Sequence, residues 1–161
     1  MSHRYRLQQL GALPWPHGLG KNARHGHPYR KLETELRDYL GDRWADQAAH
    51  QRAYETGDPE YRRIVLDALT QMPWSTDLLE DVEAATVLAR SAPLLNQPLP
   101  DDQSRWEDWA RPRCGEKGFT RSWLGCPADI GPLHIGDGRH RITFLRFHRS
   151  PDYEVLVRSS R

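Results

Sequence analysis

Residues 132–158 have the sequence PLHIGDGRHRITFLRFHRSPDYEVLVR, and the interpretation of the fold depends on this stretch. Its first apolar residues, 133–135, predict a short strand. The alternation of Val155 and Val157 predicts a second strand over 153–158. Between the two lie the glycine-containing turn GDGRHR at 136–141 and an apolar segment that begins at Ile142.

The apolar segment after the turn is compatible with two structures. Asp-Gly between apolar residues is a strong hairpin signal, and Ile142, Thr143 and Phe144 are good strand formers. A hairpin would leave the basic residues of the turn facing solvent. On a helical wheel the apolar side chains spread over most of the circumference, and as a strand they do not alternate, so periodicity favours neither a helix nor a hairpin.

A helix in this segment would create an anion site. Gly136 and Gly138 would let the backbone approach a ligand, and the first N–H groups of the helix would face it with a partial positive charge. Arg139 and Arg141 would bind phosphate, because a guanidinium recognises phosphate oxygens with two parallel hydrogen bonds. His140 is the candidate general acid or base, since an unperturbed imidazole titrates near neutral pH. A solvated or capping histidine is the alternative.

Asp137 would repel a bare phosphate at this place. Its useful roles are therefore those of helix cap, Mg²⁺ ligand or catalytic group, or a partner that orients Arg139 or His140.

The order strand, G-x-x-R turn, helix and strand, with the turn at 138–141, resembles the nucleotide-binding box of the ParB/sulfiredoxin-like superfamily. The resemblance implies a small α/β sheet whose turn and helix bind the phosphates of a nucleotide such as ATP or CTP. Members of that superfamily include partition proteins, sulfiredoxins, free-amino-acid kinases and small nucleases. Arg139 stands where sulfiredoxins have their catalytic cysteine, so we do not expect sulfinic acid reduction. Phe144 stands where the family has a small residue.

The rest of the chain predicts helices. Residues 31–54 form one helix or a pair that is broken near Gly41. Asp58 and Pro59 mark a helix start that Pro73 ends further on, and another helix follows from Asp77, a possible cap, to Arg90. The proline-rich residues 92–103 form a connection. A capping box begins a short helix at 104, and a short strand is expected around 119–124. We therefore expect an α+β protein with a helical N-terminal half and a small C-terminal sheet.

Charge divides the 161 residues, whose net charge is +1, into three blocks. Residues 1–31 carry six basic side chains and no acidic one, which predicts a basic arm. Residues 32–100, the helical region, carry six basic and thirteen acidic side chains. Residues 101–161 form the α/β region, and we expect all three to share one compact domain. The arm can contact phosphates, but contact with the acidic middle of the chain is favoured.

Composition limits the possible classes further. No apolar run is long enough to span a membrane and no secretory signal is present, so we expect a cytoplasmic protein without a membrane partner. Cys114 and Cys126 predict reduced thiols, and most of the six tryptophans are expected to pack in the core or between elements. His25-Gly26-His27 has a metal-chelating form, although an exposed arm is the favoured interpretation.

The function expected from these observations is the binding of a nucleotide or of a nucleic-acid phosphate at the GDGRHR turn. A small nuclease or nucleotide hydrolase that uses Mg²⁺ is the enzymatic form of this hypothesis. The alternative is a non-catalytic interaction protein, such as a plasmid- or phage-type inhibitor or an effector, whose acidic helices bind a protein partner.

Overall fold

The computed structural model describes residues 3–21, 25–98 and 104–160. It is an α+β structure with a helical N-terminal half and a four-stranded mixed sheet, as the sequence predicts. The helices in the described ranges are α1 (Tyr29–Leu40), α2 (Gln47–Glu55), α3 (Pro59–Thr70), α4 (Leu78–Arg90), α5 (Ser104–Ala110) and α6 (Arg139–His148). None of these helices is long and apolar enough to cross a membrane.

The sheet joins the two ends of the described chain. Its strands are β1 (His3–Gln9), β2 (Ala128–Ile130), β3 (Ile135–Asp137) and β4 (Glu154–Ser160), arranged in the order β1-β4-β2-β3. β4 runs antiparallel to β1 and parallel to β2, and β3 runs antiparallel to β2. Val155, Leu156 and Val157 of β4 are all buried, so both faces of this strand are covered.

The N-terminal segment is more than the basic arm that its charge predicts. Its first described residues form β1, which pairs with β4 over seven residues, from His3 with Ser160 to Gln9 with Glu154. Tyr5 is buried and stacks on Trp106 of α5, with ring centroids 4.0 Å apart. The outer edge of β1 is covered by the connection after α4, where Asn96 N–H donates to Tyr5 O. β1 is therefore part of the sheet and of the core.

Local signals place several helix ends correctly. α1 ends at Leu40, directly before Gly41, and α2 begins at Gln47, so the predicted helix pair is confirmed. Asp58 caps α3 by accepting from the N–H groups of Glu60 and Tyr61. Asp77 occupies the predicted N-cap position of α4, but its side chain makes no capping hydrogen bond and instead lies 3.4 Å from Lys117 Nζ.

One prediction in the C-terminal region needs correction. The strand expected around 119–124 is wrong: a 3-10 turn occupies Phe119–Arg121, and the strand in this region is β2. Trp106 and Trp123 are fully buried, and Trp74 and Trp109 pack against the core, so the prediction that most tryptophans pack in the core or between elements is confirmed. The capping box at Ser104 lies outside the described side chains.

The segment after the GDGRHR turn is α6, so the helix interpretation is confirmed and the hairpin is wrong. Six of its ten residues are buried, including His140, Phe144 and Arg146. The helix contacts β2, α3 and the N-terminal segment. Enclosure on several sides explains why its apolar residues cover most of the helical wheel.

Arg146 attaches the N-terminal segment to α6. Its side chain is only 4% exposed, and its guanidinium donates to the carbonyl oxygens of Leu10, Leu13 and Pro14 at 3.3, 2.7 and 3.1 Å. It also stacks on Trp15, 3.9 Å from the ring centroid. Burial lowers the pKa of Arg146 to about 10, so the group stays charged at neutral pH. The three carbonyls replace the water that a buried cation would lose.

We expect Arg146→Met to destabilise the protein by about 3 kcal/mol, because three buried carbonyls lose a charged donor. Arg146→Lys keeps the charge without the planar fork and should cost less. Urea unfolding measures both, and Arg52→Met on the exposed surface of α2 is the control. A Met variant at position 146 as stable as this control would contradict the anchoring role.

Candidate functional site

The GDGRHR turn leaves the N-terminus of α6 without a side-chain cap. Gly138 is the N-cap residue, and it adopts a left-handed conformation with a φ of 90°. A Cβ atom there would lie 3.0 Å from the Cβ of Ala128, so the position favours glycine for both conformation and space. The first helical hydrogen bond runs from Ile142 N–H to Gly138 O. The N–H groups of Arg139, His140 and Arg141 therefore precede the first intrahelical bond.

Arg139 and His140 hold the backbone of Gly20. Gly20 N–H donates to His140 Nε2 at 2.9 Å, and an Arg139 Nη donates to Gly20 O at 2.9 Å. Gly20 has a φ of 96°, and a Cβ atom there would approach the backbone nitrogen of Glu33 to 2.7 Å. We call this contact, formed by Gly20, Glu33, Arg139 and His140, the Gly20 junction. It fastens the N-terminal segment between α1 and the start of α6.

His140 is neutral in this environment. Burial and the nearby charges of Arg139 and Lys21 lower the pKa of its imidazole to about 3. Because Nε2 accepts a hydrogen bond, the ring proton of the neutral form lies on Nδ1. This ring makes a T-shaped contact with Tyr29, with centroids 5.0 Å apart. A neutral histidine of this kind holds the backbone of Gly20 in place. Near pH 7 it is not an imidazolium, so it is not a general acid.

Arg141 contacts a different part of the chain from Arg139 and His140. Its Nη1 donates to Cys126 O at 2.9 Å, and its guanidinium carbon lies 4.7 Å from the ring centroid of Trp123. Asp137 has a side chain that is 65% exposed, and its Oδ2 lies 3.7 Å from Arg141 Nη2. The prediction of Asp137 as helix cap is wrong, because Gly138 takes that position. Asp137 pairs with Arg141 and not with Arg139 or His140.

A cavity of about 350 Å³ opens at this end of α6. It brings together all six predicted site residues, Gly136, Asp137, Gly138, Arg139, His140 and Arg141. Lys21, Tyr29 and Trp74 also line it, although the sequence does not single them out for this site. Lys21 Nζ lies 4.7 Å from the Tyr29 ring centroid, and Trp74 Nε1 donates to Tyr29 OH.

The charges around this cavity favour an anion. Lys21, Arg139 and Arg141 are cationic, and Asp137 is the one carboxylate among the described residues that line the cavity. The uncapped N–H groups of α6 add partial positive charge on the same side. Tyr29 and Trp74 provide aromatic surface beside these cations. The cations, the N-terminus of α6 and the aromatic rings together suit an anion that also carries a planar ring.

A metal site is not assembled in the described part of the chain. No group of three or more His, Cys, Asp or Glu side chains suited to a metal ion occurs there. His25 and His27 are both exposed, as the favoured interpretation expects, and chelation by them stays an untested alternative. Cys114 and Cys126 are both free thiols, as expected.

No family model, no curated protein and no solved structure matches the chain. The function is therefore argued from the geometry of the cavity and from the residues of the turn.

The lowered pKa of His140 predicts a loss of stability in acid. Between pH 6.5 and about 3 the unfolded chain binds a proton at this residue that the folded protein does not, so stability falls as the pH falls. By pH 5 this difference amounts to about 2 kcal/mol at 1.36 kcal/mol per pKa unit. Urea unfolding at pH 7.5 and pH 5 should show a larger loss for the natural protein than for His140→Gln, which keeps an acceptor for Gly20.

The contributions of the other histidines are common to both proteins, so they cancel in this comparison. Equal losses in the two proteins would show that His140 is not held neutral in the fold.

Proposed function

We propose that the protein binds the phosphate group of a nucleotide or of a nucleic acid in the cavity at the N-terminus of α6. The observation that carries the proposal is the convergence of three uncapped N–H groups with the side chains of Lys21, Arg139 and Arg141. A helix N-terminus bordered by guanidinium groups provides both the donors and the charge that phosphate oxygens require.

The two arginines are held in place before a ligand arrives. Arg139 is tied to Gly20 O and Arg141 to Cys126 O, and each guanidinium has five N–H donors. The N–H donors of each guanidinium that do not bond to the backbone can therefore bind phosphate. The side chain is already ordered, so binding does not have to immobilise it. This reduces the entropic cost of binding.

The aromatic wall supports a nucleotide over inorganic phosphate. Tyr29 and Trp74 line the same cavity as the cations, and bases stack favourably on such rings. The strand, turn, helix and strand order of β3, Gly138, α6 and β4 agrees with the resemblance to the ParB/sulfiredoxin-like superfamily. That resemblance implies ATP or CTP as a ligand.

Binding is better supported than hydrolysis. Asp137 is the only described carboxylate that lines the cavity, so a Mg²⁺ ion there would need phosphate oxygens and water for its other positions. Asp137 would hold such an ion beside the phosphate, where its positive charge would offset the negative charge that accumulates when a phosphoester is cleaved. His140 would contribute position and not a proton.

The acidic helices support the alternative interaction protein less well. Several of their carboxylates are paired with cations on the same segment, including Glu33 with Arg37 and Glu60 with Arg63, at 2.8 and 2.6 Å. These pairs reduce the negative charge that a basic partner would meet. The phosphate cavity therefore accounts for more of the structure.

Calorimetric titration with ATP and CTP, with and without Mg²⁺, tests the proposal. Lys21→Ala removes a cation that makes no hydrogen bond to the backbone in the described structure, so it should weaken binding about tenfold, or ~1.4 kcal/mol, without unfolding the protein. Arg139→Ala combined with Arg141→Ala should abolish binding.

Arg43→Ala with Arg52→Ala removes two exposed cations elsewhere and is the matched control. Circular dichroism establishes that each variant is folded. Unchanged affinity in the folded Arg139→Ala/Arg141→Ala protein would refute the proposal, and so would a natural protein that binds neither a nucleotide nor a short single-stranded DNA.

A further inference from the structure

A second cavity adjoins the phosphate cavity. It has a volume of about 470 Å³ and shares Trp74 and Arg141 with the first cavity. Lys117 and Arg121 also line it, together with the carboxylates Asp77 and Asp81. Trp74 and Arg141 thus line both cavities, and each cavity contains further cations.

The cations of the second cavity are available to a ligand. Within the described ranges, Arg121 has no hydrogen bond or ion pair, and its side chain is exposed. Lys117 pairs with Asp77 at 3.4 Å, and both side chains are about half exposed, so the pair is weak and exchanges readily. Asp81 uses Oδ2 to accept from Trp123 N–H. Part of the acidic character of this cavity is therefore already engaged within the protein.

The same segment continues as a basic and aromatic surface. Arg111 lies over Phe119 and Arg113 over Trp109, each with its guanidinium carbon 4.7 Å from the ring centroid. Both arginines are exposed and both rings are half-buried. Exposed cations that alternate with aromatic rings are typical of surfaces that follow a nucleic-acid backbone.

Trp74 is placed to stack a base between the two cavities. It packs against Phe144 in a T-shaped contact, with centroids 5.7 Å apart, which supports the indole from within the protein. The indole lines both cavities and is half-buried, so part of its surface remains open to a ligand. A single mononucleotide has one base and would fill one cavity of this size.

We infer that the ligand is a single strand of nucleic acid, whose backbone passes from the N-terminus of α6 across Trp74 to Lys117 and Arg121. The inference rests on the proposed function and extends it to a second phosphate subsite. A single strand is favoured over a duplex because its bases are free to stack on a side chain, whereas those of a duplex are stacked on one another.

The test compares the affinities of the protein for a long ligand and for a short one. Fluorescence anisotropy measures the affinity for a fluorescein-labelled 12-nucleotide single-stranded DNA, and calorimetry measures the affinity for ATP. Lys117→Ala combined with Arg121→Ala should weaken oligonucleotide binding about tenfold and leave ATP binding unchanged. It should also reduce the slope of log K against log salt by about 1.4, the value for two lost contacts to a single strand.

Arg43→Ala with Arg52→Ala removes the same charge outside both cavities and should change neither measurement. Unchanged oligonucleotide affinity and salt slope in the Lys117→Ala/Arg121→Ala protein would overturn the second subsite while ATP binding stands. An unlabelled duplex of the same length that competes better than the single strand would overturn the assignment of the ligand. A natural protein that binds ATP but no oligonucleotide would overturn the inference as well.

Discussion

The enclosure of α6 by the N-terminal segment is the constraint on which the rest of the structure depends. A helix with a buried arginine near its C-terminal end requires carbonyl partners for that cation. The chain supplies them from the turn at residues 10–14, directly after β1. At the start of α6, Arg139 and His140 bind the backbone of Gly20. Both ends of the helix are therefore fastened to the same N-terminal segment.

This fastening also forms the candidate site. The Gly20 junction places Lys21 and Tyr29 across from the start of α6, and so closes one side of the phosphate cavity. Arg139 lines the cavity and also holds the backbone of Gly20. Arg141 likewise lines the cavity and holds the backbone of Cys126. A loss of binding in variants of these arginines thus needs an independent test of folding. Lys21 is free of this ambiguity, because its described contact is with the Tyr29 ring.

The sequence predicts the local features of this structure well. The cap at Asp58, the break at Gly41 and the position of the GDGRHR turn depend on neighbouring residues, and each lies where it was predicted. The strand expected around 119–124 is wrong because a short run of apolar residues in a glycine-rich segment fits a turn as well as a strand. Local sequence does not predict β1, because its partner is β4, at the other end of the chain, and the alternation of His3, Tyr5 and Leu7 is faint.

The site was predicted in part for the same reason. Residues 136–141 were recognised as a group because they are consecutive. Lys21, Tyr29 and Trp74 are far from the turn in sequence. The contact that brings Lys21 close joins Gly20 to His140 across a sequence separation of 120 residues, which local patterns do not reveal. The neutral state of His140 also follows from burial, which local sequence does not reveal. Its role therefore changes from candidate acid to positioning residue.

The most direct test of the account is an amide NMR titration with ATP of the ¹⁵N-labelled protein. If phosphate binds at the uncapped end of α6, the amide signals of Arg139, His140 and Arg141 shift together and saturate at a common affinity. The signals of the exposed residues Arg43 and Arg52, outside the cavity, stay in place. Saturable shifts confined to other parts of the chain, with these three amides unmoved, would contradict the account.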